Sequence, residues 1–89
     1  MLLPEVTIPL IFDHLYPGPV QIITGLASEI EKMCTAMTKI KAIACSWPPM
    51  NFNGLCTIFI PQEGIGGVGH RTYDWLLRYE NARCNGWRF

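Results

Sequence analysis

Eighty-nine residues, 49% of them hydrophobic and only 16% charged, balance seven Lys and Arg against seven Asp and Glu at zero net charge. A phosphate-tracking surface needs basic side chains in clear excess to displace counterions, so nucleic acid is not the expected partner. Soluble domains usually carry roughly 25% charge; this chain has too few charges to cover its outside, and contiguous exposed apolar surface of that kind marks protein contacts.

The length fits a single compact domain over residues 1–89, which hides a smaller share of its surface than a larger chain would. Help from a protein partner or a homo-oligomer is therefore expected. Charge is also unevenly placed: residues 1–31 hold Glu5, Asp13, Glu29 and Glu31 with no base, while all seven bases follow with Glu63, Asp74 and Glu80. Such polarity favours head-to-tail contact between subunits or a match between the two ends of the chain. No basic residue precedes Lys32, so no export signal is visible and placement in cytoplasm or a virion is expected. The uncharged stretch from Leu15 to Ser28 is too short and too broken by Pro and Gly to cross a bilayer.

Along the chain, Val6, Ile8, Leu10 and Phe12 alternate with less apolar positions and predict an opening strand, which Pro9 confines to a sheet edge. Tyr16, Pro17, Gly18 and Pro19 form a turn. Ile23, Leu26, Ile30, Met33, Met37 and Ile40 then follow at steps of three and four, predicting a helix that begins between Pro19 and Ser28 and ends near Lys39. Ser28 and Glu31 match a capping box, which favours the later start. Residues 40–47 read equally as helix or strand; a strand is favoured because Leu55 to Ile60, rich in β-formers, needs a hydrogen-bonding neighbour. Pro48, Pro49, Asn53 and Gly54 between them suit a hairpin loop. A second helix is predicted from about Thr72 to Cys84, with Asp74 placed to pair with Arg78 one turn on and Asn85 and Gly86 as its stop. The expected class is α+β: two helices packed on a short antiparallel sheet of two or three strands, in the order β-α-β-β-α.

Gly64, Gly66 and Gly69 match the spacing G-x-G-x-x-G between a predicted strand and a predicted helix, the setting in which that motif binds a dinucleotide. Only twenty residues follow Gly69, too few for the rest of a nucleotide-binding unit. A reduced alternative is an anion or phosphate site built from Gly66, Gly67, Gly69, His70 and Arg71. His14 and His70 are the only imidazoles, and Glu29 and Glu31 fall on different helix faces, so no catalytic constellation stands out and no enzymatic activity is expected. Cys34, Cys45, Cys56 and Cys84 lack the short paired spacing of a zinc site; reduced, half-buried thiols are expected, with a disulfide framework beginning at Cys45 and Cys56 as the alternative. No metal and no cofactor are called for.

Trp47, Met50, Phe52, Trp87, Arg88 and Phe89 cluster in two segments rich in Pro, Asn and Gly, where large side chains are hard to bury. They are the candidate interface residues, since aromatic and Arg side chains give large contact area at modest entropy cost; folding of each loop back over a small core is the competing use. The functional expectation is a small non-enzymatic interaction or assembly subunit, of a size and composition suited to a viral or phage accessory or particle component.

Overall fold

A computed structural model describes residues 7–51 and 54–87. The elements run β1 (Val20–Gly25), α1 (Ala27–Thr38), β2 (Cys45–Trp47), β3 (Cys56–Pro61) and α2 (His70–Cys84), the expected order and class. The sheet has three strands in the order β1-β3-β2, and it is mixed rather than antiparallel: β1 runs parallel to β3, from Val20 beside Cys56 to Gly25 beside Pro61, while β2 pairs antiparallel to it, Cys45 facing Phe59 and Trp47 facing Thr57.

The central strand explains the architecture. A strand covered on both faces reads as a continuous apolar run instead of an alternating one, and β3 is buried along nearly its whole length. Cys56, Ile58 and Ile60 point to one face and pack with Leu76 and Cys84 of α2, together with Tyr16 and Ala44. Phe59 points to the other and packs with Ile30 and Cys34 of α1 and with Cys45. The sheet is thus held between the two helices.

Two disulfides staple these layers, Cys34–Cys45 tying α1 to β2 and Cys56–Cys84 tying β3 to the end of α2. Neither reduced thiols nor a Cys45–Cys56 bond matches this arrangement. The register gives the reason: Cys45 lies opposite Phe59, on the α1 face, whereas Cys56 shares the parity of Ile58 and points to the α2 face. Sequence proximity across a loop could not bring them together.

The expected opening strand does not form among the described residues. Residues 10–12 turn, with the Phe12 and Asp13 N–H groups donating back to the Pro9 carbonyl at 2.9 and 3.1 Å; Val6 lies outside the described residues. Ile8 instead packs with Tyr79, Ala82 and Trp87, so the segment lies along α2. Asn81 and Asn85 pin it there. Asn81 Oδ1 accepts from the Tyr16 N–H at 3.0 Å, and Asn85 Nδ2 donates to the carbonyls of Phe12 and His14 at 3.1 and 2.7 Å.

The first strand is found where the helical seam was expected to begin. Val20, Ile22, Ile23 and Thr24 are β-branched, which favours the pleated conformation, and β3 supplies a partner. The helix α1 starts only at Ala27, inside the expected interval, and its end after Thr38 matches expectation, with Lys39 in the left-handed region at φ 65° donating its N–H to the Thr35 carbonyl. The Ser28–Glu31 capping box does not form: Ser28 is already within the helix, and the extended residue Leu26 occupies the cap position without a side-chain hydrogen bond. The Ala27 N–H is satisfied by the Gly66 carbonyl at 2.8 Å, a tertiary substitute for a cap. Residues 40–47 resolve as an irregular run followed by the short strand β2.

Candidate functional site: an open sheet edge

The glycine-rich segment is a turn that closes on itself. The N–H groups of Gly64, Gly67 and Val68 donate to the carbonyls of Val68, Gly64 and Gln62 at 2.9, 3.0 and 2.9 Å. A Cβ on Gly67 would lie 1.7 Å from the Gln62 carbonyl oxygen, and Gly66 holds φ 78° against the Leu26 side chain, so close backbone packing requires the first glycine and a left-handed conformation favours the second. His70, at the start of α2, is held between two carboxylates, Glu63 at 2.7 Å and Asp74 at 3.1 Å. The Glu63 hydrogen bond and the charges of Asp74 and Glu63 raise its pKa above the usual 6.5. An anion approaching Gly66, Gly67, Gly69, His70 and Arg71 would meet these acids, and the Gly67 N–H is already used within the turn. Asp74 therefore serves His70, and Arg78 instead pairs with Asp13, its Nε donating to Oδ1 at 2.8 Å.

The candidate interface residues separate into three groups. Trp47 is 63% and Met50 98% exposed, as a contact role requires. Trp87 is only 7% exposed and packs edge-to-face on Tyr79, with ring centroids 5.0 Å apart, so it belongs to the core. Phe52, Arg88 and Phe89 lie outside the described residues. Among the described residues no group of His, Cys, Asp and Glu could hold a metal, and no helix is long and apolar enough to cross a membrane.

One buried charge has no place in any expectation. Glu80 of α2 is 1% exposed, and its Oε1 has no hydrogen-bond partner. Burial pushes its pKa up to about 7, partly offset by Arg83 and a hydrogen bond with Ser46. An orphaned oxygen in a dry site costs free energy in its ionised form, and protonation relieves much of that cost.

The exposed apolar feature with the most regular geometry is β1. Every residue from Val20 to Thr24 is exposed, on both faces of the strand, and no described strand lies on its outer side. On the α2 face, Ile22 is 44% exposed. On the α1 face a Cβ at Gly25 would lie 3.6 Å from Ile30 Cδ1 of the helix, while Gln21 is exposed and Ile23 is 37% exposed.

Backbone parity shows what the edge offers. The Cys56 N–H donates to the Pro19 carbonyl and the Gln62 N–H to the Gly25 carbonyl, at 3.0 and 2.8 Å, which turns the polar groups of odd-numbered β1 residues toward β3. The N–H and C=O groups of Val20, Ile22 and Thr24 therefore point outward. Nothing in Leu15 to Ser28 carries a charge that would discourage another strand. The exposed edge that the sequence pattern did not reveal is thus Val20, Ile22, Ile23 and Thr24, and their signal was the β-branched run that the helical spacing overlapped.

No family model, curated protein or solved structure matches the chain.

Proposed function

We propose that this protein is a non-enzymatic interaction or assembly subunit that works by surface recognition. The observation that carries this reading is β1: an uncharged, β-branched strand with both faces exposed and its outer backbone groups pointing outward. Native sheets usually blunt such an edge with charge, Pro, a bulge or a covering segment, and an edge left bare is a template for another chain. Trp47 and Met50 add a second apolar contact area at the opposite side of the sheet. The two disulfides support a working environment in which such bonds persist, and they hold the scaffold while its surface is left apolar.

Affinity capture from the native source tests the reading, with the wild type compared side by side with Ile22→Lys and Met50→Asp. A bound protein, of this or any other sequence, is expected with the wild type and should be lost with at least one variant. Identical recoveries from all three would overturn the proposal.

A further inference from the structure

We infer that the occupant of the β1 edge is a second copy of this chain, paired antiparallel about Ile22; this identification of the partner rests on the interaction reading above. A two-fold axis places the same strand on both sides of an interface and requires the two strands to run antiparallel. Centred on Ile22, it sets Ile22 opposite Ile22 of the second copy, Val20 opposite Thr24, and Gln21 opposite Ile23. In an antiparallel ladder, residues two apart form the closely bonded pairs that exchange both N–H···O bonds. Val20, Ile22 and Thr24 are the residues whose N–H and C=O groups point away from β3. One symmetric register therefore satisfies every outward polar group from Val20 to Thr24.

The side chains agree with the same register. Ile22 meets Ile22 and Val20 meets Thr24 on the α2 face, apolar and β-branched pairs of the kind that stabilise a ladder. With no charge between Leu15 and Ser28, no like charges face one another along the paired strands. The product is a continuous sheet in the order β2-β3-β1-β1-β3-β2. Because the axis stands perpendicular to the sheet, both α1 helices share one face and both α2 helices the other, and the exposed side chains of β1 move to the centre of the assembly.

The test combines sedimentation equilibrium with amide hydrogen exchange on the intact, oxidised protein. In the tens-of-micromolar range and above, the expected mass is twice that of one chain. The Val20, Ile22 and Thr24 amides should become protected as concentration rises, while those of Gln21, Ile23 and Gly25, which donate to β3, are protected throughout. Ile22→Lys sets two ammonium groups against each other and should weaken the dimer by roughly 100-fold or more. Thr24→Pro removes an outward N–H that the monomer does not use, and an edge position tolerates it; it too should shift the protein toward monomer. Retained protection of Gln21 and Ile23 in either variant shows that β1 is still folded. A single-chain mass at every concentration overturns the inference, as does a dimer whose Val20, Ile22 and Thr24 amides still exchange fast. If the protein is monomeric but Ile22→Lys loses a different captured protein, the second copy is refuted and the broader interaction reading stands; identical captures refute the broader reading.

Discussion

The two edges of the sheet are built in opposite ways. β2 is three residues long, is tied to α1 through Cys34–Cys45 and runs directly into Pro48 and Pro49. β1 is six residues long, carries no charge, Pro or covalent tie, and is exposed on both faces. Short length and following prolines make β2 a poor template for another chain, whereas β1 offers a longer, uncharged edge of the kind that natural sheets ordinarily protect. The contrast separates the stapled, closed side of the molecule from the side available for contact.

Breaking the staples should have the largest effect. In the chain-entropy view, the longer loop closed by Cys56–Cys84 contributes roughly 4 kcal/mol and the shorter one closed by Cys34–Cys45 roughly 3 kcal/mol. Denaturant unfolding of Cys56→Ala/Cys84→Ala and Cys34→Ala/Cys45→Ala should rank the two in that order. Hydrogen exchange in the second variant should increase around β2 and leave the β1–β3 ladder intact, which sharpens the difference between the edges.

Glu80 provides the next test, because it lies buried in α2 with the β2 hydroxyl of Ser46 as its hydrogen-bond partner. Its pKa is near 4.5 in an open environment and about 7 in the fold, so over that interval the folded protein holds a proton that the unfolded chain has released. Stability contributed by the neutral carboxyl is therefore present at low pH, falls as pH rises through this window and levels off above about 7. Glu80→Gln should stabilise the protein at pH 8 by on the order of 3 kcal/mol and flatten the pH dependence, as read from chemical denaturation at pH 5 and pH 8.

A smaller loss is expected from Asn81→Ala, which strips the buried Tyr16 N–H of its acceptor. The cost should be about 1–3 kcal/mol, with faster exchange across residues 12–16 and no change in β1. The smallest effect concerns His70, beyond the end of β3. Its NMR titration midpoint should lie above the usual 6.5, and Glu63→Gln should lower it, since the Glu63 hydrogen bond is the largest contributor. Stability contributed by this interaction is present below the ordinary His pKa and is lost as pH rises through the raised one.

Much of the fold was legible from local pattern. The central strand near Leu55 to Ile60 announced itself as a run of β-formers, and both helices showed their spacing, α2 within two residues of its observed start. The opening strand was misread because four alternating residues around Pro9 carry little information, and their actual destination, the side of α2, depends on Asn81 and Asn85 far along the chain. The seam from Ile23 to Ile40 held for Ile30, which is buried, but Ile23 belongs to a strand and Ile40 lies exposed beyond the helix. Helical and strand periods overlap over so short a stretch, and only the pairing partner decides between them. Of the candidate contact residues, exposure separated Trp47 and Met50 from Trp87, a distinction set by the Tyr79 ring and not by local composition.

Composition by itself determined that this chain would be small, sparingly charged and left with apolar surface, and local pattern marked the central strand and the two helices, because both depend on properties that residues carry wherever they stand. Tertiary structure alone decided that β1 pairs parallel to β3, that Cys34 meets Cys45 and Cys56 meets Cys84, and that Val20, Ile22 and Thr24 turn their backbone groups outward. Those outcomes depend on which face each residue presents once the strands are in register, a relation between distant segments that no local window contains.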